Sequence, residues 1–201
     1  MSPRAPGGGR GGRGVLGRAA LLARLAADPP LVSGLADPAR QVQPHGIDLR
    51  LESVWGFAGA GFLGRDRSPS PTSAEPSPPA ARAEPARLDR VLPEREPLPF
   101  DGEGRLYLPA GAYLVRFAEI VHLPRDLMAL ARPRSTLLRC GATLHTAVWD
   151  AGYQGRSEAL LVVANPHGLA LERGARICQM IFLPLDAPGP AYAGAYQGEN
   201  V

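Results

Sequence analysis

The feature that most constrains the fold is the pattern beyond residue 100. There, short alternating apolar segments follow one another, each closed by a turn signal. Residues 105–108 (RLYL) run into Pro109-Ala110-Gly111, and residues 112–121 alternate again with Tyr113, Val115 and Phe117 on one face. Residues 144–149, 159–164, 170–171 and 177–183 supply further strands, punctuated by Gly152, Asn165-Pro166, Gly168 and Gly174. A side-chain period of two suits a strand with one buried face, and frequent turns exclude long helices. The pattern predicts an all-β sandwich, jelly roll or barrel with little helix. Upstream, the turn Pro44-His45-Gly46 leads into a strand over residues 47–51. Leu16, Ala20, Leu21 and Leu25 form one helical stripe over residues 15–27, which Asp28-Pro29-Pro30 ends.

Two stretches stand outside this pattern. Residues 1–14 (MSPRAPGGGRGGRG) are low in complexity and predict a disordered tail. Residues 64–99 hold nine prolines among Ser, Ala, Arg and Glu, which predicts a long mobile insertion and excludes core sheet. The folding unit is therefore expected over residues 15–201, interrupted at 64–99.

Every basic side chain is Arg, since the 22 cations include no Lys. Schiff-base chemistry, a lysine base and a P-loop lysine are excluded, and any phosphate must be held by Arg, backbone N–H, hydroxyls or metal. Five Arg and no acid fall in residues 1–27, which leaves 17 Arg against 19 acids in the remainder. A near-neutral folded part argues against a dedicated nucleic-acid-binding face. No apolar run approaches the ~20 residues of a membrane span. Cys140 and Cys178 lie far apart in apolar contexts, as expected of two buried free thiols in the reducing cytoplasm. The four His do not fall at zinc-ligand spacings.

The chemistry-bearing residues cluster between residues 131 and 179. Arg134 and Ser135, with Thr136 and Arg139, offer a planar cation and hydroxyls suited to phosphate, although an isolated Arg is commonly a surface charge. Asp150 follows Ala147-Val148-Trp149 and precedes Ala151-Gly152; it suits a general base, or simply a turn-stabilising acid. Tyr153 follows Gly152 and suits stacking on a ligand or packing in the core. Arg176 and Gln179 form a second anion-binding candidate; strict alternation puts Ile177 and Gln179 on one face and Arg176 on the other.

The order of these segments resembles the trimeric dUTPase and dCTP deaminase superfamily, and most nearly its archaeal-type dUTPases. GIDLRL (residues 46–51) looks like the first motif, PRSTLLR (133–139) the second, AVWDAGYQG (147–155) the third and RICQMIF (176–182) the fourth. The tail AYQGEN (195–200) is similar to a deaminase-type tail. The likeness covers roughly residues 15–58 and 96–200.

The resemblance implies a distorted jelly roll assembled as a homotrimer, with active sites at subunit boundaries. It also implies hydrolysis of dUTP to dUMP and pyrophosphate, which lowers dUTP and supplies dUMP for thymidylate synthesis. Asp150 would activate the attacking water. Arg134, Ser135, Thr136, Arg139 and Gln179 would hold phosphates, and Tyr153 would pack on deoxyribose. Asp48 would sit near the water shell of a triphosphate-bound Mg²⁺. The glycine-rich fifth motif is missing, and Tyr192, Tyr196 and Gln197 stand in a short tail instead, where Tyr192 and Gln197 would contact the substrate. Deaminases of this superfamily, the alternative reading alone or as a bifunctional enzyme, carry a Glu ten positions after the Asp of the third motif. Here that position is Leu160, with Glu158 two residues earlier on the same strand face.

Overall fold

The computed structural model describes residues 14–64 and 90–201. The expected tail, apart from Gly14, and residues 65–89 of the Pro-rich stretch lie outside them. Among the described residues there are three short helices: α1 (Arg18–Leu25), α2 (Pro38–Gln41) and α3 (Ser135–Arg139). The first eight strands are β1 (Val32–Ser33), β2 (Val42–Gln43), β3 (Gly46–Phe57), β4 (Phe62–Leu63), β5 (Arg90–Val91), β6 (Arg95–Leu98), β7 (Arg105–Leu108) and β8 (Gly111–Phe117). The remainder are β9 (Ile120–His122), β10 (Leu127–Pro133), β11 (Ala142–His145), β12 (Gln154–Gly155), β13 (Glu158–Val163), β14 (Leu169–Glu172) and β15 (Arg176–Pro184). The fold is predominantly β, as the alternation predicts.

The main sheet runs β10-β15-β3-β8-β13-β11 with antiparallel neighbours throughout. Its end strands β10 and β11 approach each other, so the sheet is nearly closed and barrel-like. Burial in the sheet has a period of two: in β13, Ala159, Leu161 and Val163 are buried while Glu158, Leu160 and Val162 face outward. Ile47, Leu49, Leu51, Phe117, Leu127, Met180 and Phe182 fill the interior with no exposed surface. Each such side chain contributes about 1.5–3 kcal/mol on burial.

A polar knot pins the middle of β3. Glu119 is fully buried and accepts from Arg50 Nε at 2.6 Å, from the Arg50 backbone N–H at 2.8 Å and from Gln41 Nε2 at 2.8 Å. Gln41 also donates to the Asp48 carbonyl at 3.0 Å and accepts from the Ala36 and Asp37 backbone N–H groups. A buried polar group without such partners would cost ~1–3 kcal/mol.

Three expectations change. Residues 90–98 of the Pro-rich stretch are not all loop: β5 pairs with β4, and β6 pairs with the far half of β3. Pro97 is tolerated because β6 bonds to one neighbour only among the described residues. The strand expected over 144–149 stops at His145; Trp149 returns as a single bridge to Ala129 and its buried indole donates to Ser157 Oγ at 2.6 Å. Cys178 is buried, but Cys140 is exposed just past α3.

Candidate active site

The first, second and fourth motifs meet at one acid. Register places Asp48 of β3 opposite Gln179 of β15, and Gln179 opposite Arg132 of β10. Asp48 is almost fully buried, and its Oδ2 receives Arg134 Nε at 3.3 Å and Arg176 Nη1 at 3.1 Å. Burial raises the Asp48 pKa above its ordinary value, and the charges of Arg134 and Arg176 pull against that rise. A register shift between Arg176 and Cys178 breaks the alternation, so Ile177 and Cys178 are both buried. The bulge thereby turns Arg176 towards the face that Asp48 and Gln179 share, which corrects the opposite-face expectation. Ser135, Thr136 and Arg139 stand exposed on α3, a helix of only five residues that the second motif does not advertise.

The third motif builds a separate half-site. Asp150 and Tyr153 line a cavity of about 570 Å³ together with Ser157, Glu158, Tyr192 and Glu199. Phe57, Leu92, Pro93 and Arg95 form its facing wall. Tyr153 is buried; its hydroxyl meets Ser157 Oγ at 3.0 Å and donates to Glu199 Oε1 at 2.9 Å, while its ring sits edge-on to Tyr192 at 5.7 Å. Burial pushes the Tyr153 phenol far above its ordinary pKa, so it remains a neutral donor. Gly152 has φ +81°, and a Cβ there would stand 2.9 Å from Ala191 Cα. Glycine at this turn is thus what lets the tail lie against the third motif.

The three acids of this cavity differ in their partners. Glu158 accepts from Arg95 Nη1 at Oε2 (2.8 Å) and from Arg116 Nη2 at Oε1 (3.0 Å). Glu199 holds the Tyr153 hydroxyl, and burial followed by the nearby Glu158 charge raises its pKa. Asp150 is exposed and, among the described residues, forms no ion pair. It is the acid left open to a water molecule and a substrate.

The tail closes over the same chain. Tyr192 N–H donates to the Ala151 carbonyl at 2.8 Å, Gly198 N–H to Gln154 at 2.8 Å, and Asn200 Nδ2 to Arg156 at 2.9 Å. Gln197, expected to touch substrate, uses its amide to bind the Gln154 N–H and the Gly152 carbonyl, each at 3.0 Å.

A family model described as dCTP deaminase-like matches residues 15–185. The chain belongs to the dCTP deaminase-like family. A curated relative from Methanosarcina mazei, named a probable deoxyuridine 5'-triphosphate nucleotidohydrolase, is 43% identical over 88% of this chain and 92% of its own length. One of the same name from Archaeoglobus fulgidus is 43% identical over 85% and 89%. Among solved structures, a 2'-deoxycytidine 5'-triphosphate deaminase from Agrobacterium tumefaciens shares the fold at TM-score 0.57 and 24% identity, covering 84% of this chain. The chain spans only 48% of that deaminase's length.

Within this dCTP deaminase-like chain the two half-sites remain apart. Trp149 bridges Ala129 of β10, and Arg134 follows the end of that strand five residues on, or about 16 Å at ~3.3 Å per residue. Asp150, Tyr153 and Tyr192 come together, as do Asp48, Arg134, Arg176 and Gln179. The expected Mg²⁺ role of Asp48 does not fit its surroundings, because its carboxylate is buried and already matched by two guanidiniums. Sequence reasoning missed Arg95, whose partner Glu158 lies 63 residues away with no local signal linking them.

Proposed function

We propose that this chain is a dUTP diphosphatase, hydrolysing dUTP to dUMP and pyrophosphate. The curated relatives that match nearly their whole length carry that activity in their names. The observation that carries the reading is the contrast among the cavity acids: Asp150 stands open while Glu158 is bound by Arg95 and Arg116. Asp150 takes a proton from water as the water oxygen forms a bond to the α-phosphorus. The bond from that phosphorus to its bridging oxygen breaks, and pyrophosphate leaves with the electron pair. Tyr153 packs against the deoxyribose. Deamination is not favoured, since Leu160 stands where its carboxylate is required, opposite Leu114 and His145 in the ladder.

The one cation that lines Asp150's own half-site, Arg95, is already paired with Glu158, so the phosphates need other cations. We infer that a neighbouring copy supplies Arg134, Ser135, Thr136, Arg139 and Gln179, in a jelly-roll homotrimer with each site at a subunit boundary. The separation of the two half-sites within one chain supports this. Mg²⁺ bound to the triphosphate oxygens would neutralise their charge, a role suited to this hard ion. Asp48 instead fixes the direction of Arg134 and Arg176. Residues 15–201 act as the catalytic unit.

Incubation with dUTP and with dCTP, measuring pyrophosphate and ammonia separately, tests the proposal. Pyrophosphate from dUTP is expected, with no ammonia from dCTP. Asp150→Asn is expected to lower turnover by roughly 10²–10⁴-fold, the range of a general base. Undiminished turnover in that variant would remove Asp150 from its role.

A further inference from the structure

We propose that Arg95 sets the base selectivity of the cavity by covering the Glu158 carboxylate, an acceptor that would otherwise face an amino group. The inference rests on the dUTP-hydrolase reading above and names what discriminates uracil from cytosine. Arg95 comes from β6, the edge strand just beyond the Pro-rich stretch, and reaches across to β13. Arg95 and Glu158 line the same cavity as Asp150 and Tyr153. Arg116, which holds the other Glu158 oxygen, lies over the Trp55 ring at 4.7 Å and is not part of the cavity wall.

The chemistry follows from donor and acceptor counts. Uracil presents a carbonyl acceptor at the ring position where cytosine presents an amine donor. A guanidinium has only donors, and an ionised carboxylate has only acceptors. With Arg95 over Oε2, this part of the wall offers N–H groups and matches uracil. Without Arg95, Oε2 is uncovered while Arg116 still holds Oε1, and the wall becomes an acceptor that matches cytosine. The same pair silences Glu158 as a proton shuttle, so one residue sets both base choice and reaction type.

The test uses the full chain as wild type, Arg95→Ala, Arg95→Lys and the double variant Arg95→Ala/Glu158→Ala. kcat and KM for pyrophosphate release are measured with dUTP and with dCTP, and affinities for dUMP and dCMP by calorimetry. For Arg95→Ala, the dUTP-to-dCTP ratio of kcat/KM is expected to fall roughly tenfold or more, mainly through KM, as the affinity for dCMP rises. Lys at position 95 restores a donor and most of the ratio. The double variant gains no dCMP affinity, because the acceptor is gone. A ratio within twofold of wild type in Arg95→Ala overturns the assignment, and so does an equal gain of dCMP affinity in the double variant. Should Arg95→Ala not fold, Arg95→Met replaces it: the long apolar stem is kept and the N–H donors are lost, so an unchanged ratio again overturns the assignment. Wild-type protein that turns over neither nucleotide removes the hydrolase reading, while the dUMP and dCMP affinities still decide the part played by Arg95.

Discussion

Asp48 offers a test in which stability and activity should separate. Its carboxylate is buried, and its two contacts, Arg134 Nε at 3.3 Å and Arg176 Nη1 at 3.1 Å, come from side chains that are 32% and 29% exposed. Each charge-assisted contact at such a half-solvated position contributes about 0.5–1 kcal/mol. Burial of the charge opposes this, and it is the larger effect, because the Asp48 pKa is raised despite both guanidiniums. A carboxyl whose folded pKa lies above 3.8 contributes stability that is complete below that value and is lost as pH rises through the folded pKa. At neutral pH the ionised group is therefore a net cost. Asp48→Asn should change unfolding free energy by less than about 1 kcal/mol at pH 7, and the comparison with wild type should favour Asn more as pH rises from 4 to 7. Asp48→Ala removes the acceptor altogether, leaves two guanidiniums facing one another, and should cost about 2–3 kcal/mol. Both variants should lose activity, because Arg134 and Arg176 are no longer aimed. Urea unfolding at one fixed protein concentration, over a pH series, gives the stabilities, and dUTP turnover gives the activity. A loss above about 3 kcal/mol for Asp48→Asn at pH 7 would show instead that the ion pairs outweigh burial.

Two further outcomes follow from single side chains. Gly152→Ala introduces a Cβ at 2.9 Å from Ala191 Cα on a backbone with φ +81°, so the tail should detach and stability fall by about 1–3 kcal/mol; limited proteolysis near residues 189–201 should accelerate, and an unchanged cleavage rate would contradict the packing. Gln41→Leu strands the Ala36 and Asp37 N–H groups and removes one donor from buried Glu119, so it should cost about 2–4 kcal/mol by denaturant unfolding, with a loss below 1 kcal/mol counting against the polar knot.

The sequence displays what local pattern can carry. The alternation that sets Tyr113, Val115 and Phe117 on one face reports that Val115 and Phe117 point into the core, and the four ordered motifs identify the family before any contact is known. Long-range pairing has no such signature. Arg95 sits among prolines that read as loop, yet edge position makes Pro97 harmless and lets β6 pair with β3. Arg176 reads as pointing away from Gln179 until the register shift beside Ile177 turns it. α3 spans five residues, too few for a helical stripe to show. Cys140 has an apolar neighbourhood in sequence, but it follows that short helix and so is left in solvent.

A chain without lysine makes the charge arrangement legible in a different way. A guanidinium keeps its charge when partly buried and offers donors in a fixed plane, so one carboxylate can orient two of them. Asp48 does this with Arg134 and Arg176, and Glu158 with Arg95 and Arg116. Glu119 holds Arg50, and Glu52 holds Arg156 at 3.0 Å. Each of these acids aims or neutralises a cation. Asp150 has no such duty. In a site lined by several carboxylates, it is the matching of the others that supports the proposed role of Asp150 as the base.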